Sequence, residues 1–161
     1  MKLILSLLIT IGLTACANVD MTEVSEDQRT FTSIVEVDGL ARSEAYQRAQ
    51  EWVALTYNSA NDVIQSKNEK TGRIIGKGIT TAKVDLGTGP LNYWRYSHSI
   101  VIDTKDNKAR LVLSDFISLK SGYPPRYAYL YYPVKDSVQS VLSSFEQYMR
   151  TGGNQTVDSD W

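Results

Sequence analysis

The amino-acid sequence predicts an α+β domain: an antiparallel β-sheet with two helices packed on one face, in the order β-α-β-β-β-β-α. Three observations predict it. Apolar residues recur at helical spacing near both ends of the central region. Between them, several runs alternate at period two, and hairpin-like turns join two pairs of these runs.

The first strand is "TFTSIVEV" (30–37), with Phe31, Ser33, Val35 and Val37 on one face. A helix follows over about 41–57, where Ala45, Tyr46, Ala49, Trp52, Val53 and Thr56 form one stripe. Two alanines let that helix lie close to a sheet, and Trp52 supplies a large area for burial. The runs 62–67 and 72–80 flank "NEKTG" and read as paired strands. Two longer strands, 91–104 and 109–119, are joined by "KDNK". Trp94, Tyr96, His98, Ile100 and Ile102 share one parity, and Leu111, Leu113 and Ile117 another. The prolines of "SGYPPRYAYLYYP" (121–133) predict an irregular or extended stretch, with Tyr127, Tyr129 and Tyr131 on one side. The last helix is expected from Asp136, with Gln139 as a capping-box partner and Val138, Val141, Leu142, Phe145 and Met149 as its stripe. Such a layout leaves the second sheet face to solvent or a partner.

The segment 44–78, read through "NSANDVIQ" (58–65) and "RIIGKG" (73–78), and the strand pair ending at Asp115 and Phe116 resemble a bacterial family of unknown function with a TATA-binding-protein-like (TBP-like) fold. The resemblance covers roughly residues 31–117. It implies a curved sheet with helices on the convex side and exported members, and it implies no activity.

The termini predict the compartment. Lys2 precedes an apolar run, 3–13, that is shorter than the about 20 residues needed to span a bilayer, and "LTAC" follows. The tetrapeptide resembles a lipoprotein processing site, so residues 1–15 read as a lipoprotein signal peptide and Cys16 as the acylated residue. Cys16 is the single cysteine, and its acylation leaves no thiol for disulfides or catalysis. Ala17 in place of aspartate resembles the sorting pattern for the outer membrane. Residues 16–29 then read as lipidated cysteine and flexible tether, 30–150 as the domain, and 151–161 as a disordered acidic tail.

The chain carries 17 basic and 18 acidic side chains, and loss of Lys2 makes it one unit more negative. A mildly acidic exported chain lacks the footprint of a nucleic-acid binder. The glycines of "TGRIIGKGIT" (71–80) do not form a phosphate loop: only three residues separate Gly72 from Gly76, and Gly78 stands where Ser or Thr is required. As a strand, this stretch sends Gly76 and Gly78 to one face. The notch they leave either receives an aromatic ring or helix of the same chain, or forms a shallow site for a ligand. Asp85, Asp103, Asp106 and Asp115 match no ligand spacing, so neither metal nor cofactor is expected. His98, the single histidine, has no nucleophile or carboxylate tied to it by sequence.

The candidate binding surface is therefore Gly76 and Gly78 together with Tyr123, Arg126, Tyr127, Tyr129 and Tyr131. Rigid aromatics with polar tips suit protein interfaces and sugar stacking, and equally suit packing beneath a helix. The functional expectation is a lipid-anchored, non-catalytic binding or scaffolding module facing the periplasm, with a protein or cell-wall partner. Two alternatives stand beside it: an envelope immunity or exclusion factor against a toxin or phage component, and a hydrolase using His98.

Overall fold

The computed structural model describes residues 19–57, 60–87 and 89–153. Five strands form one antiparallel sheet in the order β1-β5-β4-β3-β2: β1 (Phe31–Glu36), β2 (Ile64–Asn68), β3 (Arg73–Val84), β4 (Asn92–Lys105) and β5 (Lys108–Ser118). Helices α1 (Arg42–Tyr57) and α3 (Ala128–Thr151) pack on one face, and a single-turn helix, α2 (Ala60–Val63), leads into β2.

The alternation read from the sequence is the alternation of the sheet. Along β3 every second residue from Ile74 to Val84 is buried, and along β4 the buried set runs Tyr96, His98, Ile100, Ile102 and Thr104. The core lies between this face and the helices, around Trp52, Ile74, Ile100, Ile102, Leu111, Leu113, Phe145 and Met149. Trp52 bridges the helices as well, stacking edge-on against Phe145 at 5.0 Å and donating from Nε1 to Ser144 Oγ at 3.1 Å.

The outward face differs in chemistry. Arg73, Lys77 and Lys83 on β3, and Lys108 and Arg110 on β5, face out against Glu36 on β1 and Asp103 on β4. Near neutrality of the whole chain thus conceals a basic face.

Four expectations are corrected. The strand expected at 62–67 begins only at Ile64, since Asp62 and Val63 close α2. In β5, Asp115 takes a left-handed φ of 56° and the register with β4 slips between Ser97 and Ser99. This bulge reverses the parity, burying Phe116 and Ser118 and turning Ile117 outward. The final helix starts at Ala128 rather than Asp136 and contains Pro133. Pro133 lacks the N–H that would bond the Tyr129 carbonyl. The apolar stripe nevertheless runs back through Val134, Tyr131 and Ala128, all buried, and that burial outweighs the lost bond.

The fourth correction concerns the tether. Residues 20–29 form a strap along the fold, with an isolated antiparallel bridge between Glu23 and Tyr127. Ala128 N donates to Thr22 O at 2.8 Å, Tyr129 N to Asp20 O at 3.1 Å and Val24 N to Arg126 O at 2.7 Å. Val24 is buried, and a 3₁₀ turn spans Asp27–Arg29. At the other end, Thr151 still belongs to α3, Gly152 closes it in the left-handed conformation, and the expected tail from 154 onward lies outside the described residues.

Candidate functional site

The notch over the β3 glycines is filled by the protein. A Cβ on Gly76 would lie 2.6 Å from the backbone carbonyl oxygen of Val63, because α2 drops its last residue onto the strand. A Cβ on Gly78 would lie 2.5 Å from the Tyr57 ring and 2.8 Å from His98 Nε2. Both glycines therefore serve close packing on the helix side, while Gly78 also borders a hollow of about 420 Å³ with Tyr57, Lys77 and Arg95.

His98 belongs to the same packing. Its ring stacks on Phe116 at 5.0 Å, its Nε2 lies 3.1 Å from the Tyr57 hydroxyl, and the residue is only 2% exposed. Burial lowers the imidazole pKa to about 4, so it is neutral at pH 7, and burial pushes the Tyr57 phenol well above its usual range. A substrate atom reaches Nε2 only if Tyr57 or Phe116 moves. Among the described residues no group of three or more His, Cys, Asp and Glu side chains is arranged to hold a metal.

The tyrosine segment divides. Tyr131 faces the core, stacked on Phe31 at 6.2 Å, with its hydroxyl donating to Gln28 O at 3.1 Å. Tyr123, Arg126, Tyr127 and Tyr129 instead line a cleft of about 310 Å³ together with Trp94 from the start of β4. Tyr127 and Tyr129 lie nearly parallel, at 6.4 Å and 12°, which an extended strand would also have allowed but which here results from the helix start. Tyr123, 66% exposed, forms the rim. Lys120 Nζ sits 5.1 Å from the Trp94 ring centroid, a cation–π contact at the cleft's edge.

Trp94, which lines this cleft, has its Nε1 buried without a hydrogen-bond partner among the described residues, and so has the hydroxyl of Tyr96, two residues along β4 and wholly buried. Burial, with a smaller contribution from Tyr129, raises the Tyr96 phenol to about 12. Buried polar atoms in folded proteins are nearly always paired, and an ordered water is the common partner of such groups. The cleft can stack a flat, partly polar group and offer it donors.

The sequence places Trp94 only on a strand face and does not join it to the tyrosines. No local signal links residues so far apart; the pairing of β4 with β5 and the return of the chain at Ser118–Tyr123 bring them together. The strap did carry a signal. "SEDQ" (25–28) is a Ser-x-x-Gln capping pair, and Ser25 Oγ and Gln28 Oε1 meet at 3.0 Å. Cys16 lies outside the described residues, and no helix among the described residues is long and apolar enough to cross a membrane.

Comparison with known proteins agrees with this architecture. The profile of a family described as a domain of unknown function (DUF4468) with TBP-like fold matches residues 31–117, more than half of the chain. A DUF4468 family protein from Bacteroides ovatus, known from its crystal structure, superposes with a TM-score of 0.51 at 13% identity, covering 80% of this chain and 85% of its own. A TBP-like protein from Parabacteroides distasonis gives a TM-score of 0.49 at 12% identity, covering 73% of this chain and 92% of its own. Comparison with curated proteins gives no match. This chain belongs to the DUF4468 family and has its TBP-like, α+β fold.

Proposed function

We propose that this DUF4468 member is a lipid-anchored envelope module, held through Cys16 at the outer membrane and facing the periplasm, that binds a partner without catalysis. The convergence of Trp94, Tyr123, Arg126, Tyr127 and Tyr129 on one cleft carries the reading. Stacked aromatics with polar edges recognise flat, partly polar surfaces, such as the sugar rings of a cell-wall polymer or an aromatic or proline side chain of a protein. Arg126 and the hydroxyls of Tyr123, Tyr127 and Tyr129 add polar groups for directional selectivity.

The strap gives the anchor a consequence. Asp20 is already hydrogen-bonded to Tyr129, so only four residues of chain lead back to Cys16, a reach of about 14 Å. An acyl chain on Cys16 then holds the aromatic cleft close to the bilayer surface and not at the end of a long leash.

A photo-crosslinking residue at Tyr123 in intact cells tests the site: a defined product should form, and Tyr127→Ala should reduce its yield several-fold. Equal yield from Tyr127→Ala would remove the cleft from consideration. For the anchor, Cys16→Ser should move the protein from the membrane to the soluble fraction; continued sedimentation with membranes would refute lipidation.

A further inference from the structure

A hollow of about 480 Å³ lies on the outward face of the sheet at the β4–β5 hairpin end, and Ile34, Arg73, Asp103, Lys105, Lys108 and Arg110 line it. Counted along β4, it stands nine residues from Trp94, about 30 Å from the aromatic cleft. It belongs to a different end and a different face of the molecule.

Strand register builds it. Ile34 pairs with Arg110, Arg110 with Asp103 and Asp103 with Arg73, so four side chains form one row across β1, β5, β4 and β3. Asp103 holds both arginines: Arg73 Nε donates to Oδ1 at 2.6 Å and Arg110 Nη2 to Oδ2 at 2.5 Å. Burial pushes the Asp103 carboxyl up, but the hydrogen bonds and charges of the two arginines outweigh it and keep the group ionised. Each guanidinium spends one edge on Asp103 and keeps further N–H groups for another acceptor; both arginines are about half exposed.

The local charge count selects the ligand. Lys108 is neutralised by Glu36 at 2.7 Å, and Asp103 cancels one arginine. Lys105 makes no ion pair among the described residues. Two positive charges therefore remain uncompensated at one place, the arginines flanking one carboxylate and Lys105 two residues further along the same strand. A phosphate monoester carries about −1.5 to −2 at neutral pH on one centre with three acceptor oxygens. A phosphodiester or a single carboxylate carries one charge and leaves a cation unmatched. Ile34, which lines the hollow and is 55% exposed, offers an apolar contact to the organic part of the ester.

We propose that this hollow is a binding site for a phosphate monoester, its phosphate held by Arg73, Arg110 and Lys105 and its organic group resting against Ile34. The assignment is independent of the aromatic cleft and of the anchor.

Calorimetric titration of the full chain in detergent, at constant ionic strength, tests it with phenyl phosphate, dimethyl phosphate and benzoate as probes. Phenyl phosphate should bind saturably and at least about tenfold more tightly than the two singly charged probes. Arg110→Ala should weaken it by about tenfold. Lys105→Ala, which breaks no ion pair, should weaken it by about threefold while the far-UV circular dichroism and melting temperature are unchanged. Equal affinity for phenyl and dimethyl phosphate would overturn the monoester assignment, as would benzoate binding equal to phenyl phosphate. Native affinity in a folded Lys105→Ala, or no saturable binding by the native chain, would overturn the site itself.

Discussion

Gly76–Gly78 and the segment Tyr123–Tyr129 carry similar promise in the linear chain, a possible gap in one case and a possible contact surface in the other, yet the fold uses them oppositely. The gap is closed from three sides, by the Val63 carbonyl, the Tyr57 ring and His98. The aromatic segment keeps Tyr123, Tyr127 and Tyr129 around an open cleft and commits only Tyr131 to the core. The difference lies in where each segment sits. The β3 glycines lie beneath the ends of α1 and α2, where Tyr57 and Val63 approach the strand closely, whereas the tyrosines occupy the corner where the sheet ends and α3 begins. Small residues in a strand covered by helix ends thus mark where the chain touches itself, and aromatics at a corner mark where it has surface left.

The contrast is broken most directly at the glycines. Gly76→Ala should cost about 2–3 kcal/mol in chemical denaturation, because the atom in the way is backbone and cannot swing aside. Native stability in that variant would mean that α2 does not seat on β3. A second test uses acid. His98 has a folded pKa of about 4 against an ordinary 6.5, so the unfolded chain binds the proton more readily, and stability should fall as pH drops from about 6.5 toward 4. The loss should approach roughly 3 kcal/mol, and His98→Gln should flatten that part of the profile. A pH profile identical to the native one in His98→Gln would place the acid sensitivity elsewhere. The smallest effect belongs to the open region: Tyr123→Ala should change stability by no more than about 0.5 kcal/mol, as expected of a rim residue that is mostly exposed. A loss above about 2 kcal/mol would make the cleft part of the core and erase the contrast.

Much of the architecture was legible because it rests on periodicity. The stripe from Ala45 to Val53 and the alternation from Ile74 to Val84 each repeat often enough to leave one arrangement that buries the apolar side. Two of the failures fall where a single residue competes with tertiary burial. Pro133 argues locally against a helix, and the buried stripe through Ala128, Tyr131 and Val134 overrides it. Asp115 gives no sign that it will enter the left-handed region, yet one bulge there exchanges Ile117 for Phe116 in the core and supplies the ring that stacks on His98. Residues 20–29 look like polar tether, and only the proximity of 126–129 gives their backbone groups partners. Of the candidate surface, Tyr123, Arg126, Tyr127 and Tyr129 meet in one cleft, while Gly76, Gly78 and Tyr131 are packed within the protein.

Charge shows the same division between local and global information. A formal net charge of −1 describes the chain as a whole. Alternation along the strands nevertheless sorts Arg73, Lys77, Lys108 and Arg110 onto one surface, and register then sets two arginines on either side of Asp103. By itself the amino-acid sequence determined the five strands, the two long helices, the buried faces of α1, β3 and β4, and the family, because each of these depends on patterns within one segment. Only the tertiary structure decided which gap was filled, which tyrosines stayed at the surface and where the cations gathered. Those outcomes depend on distances between segments far apart in the chain, and such distances are settled by strand pairing and close packing.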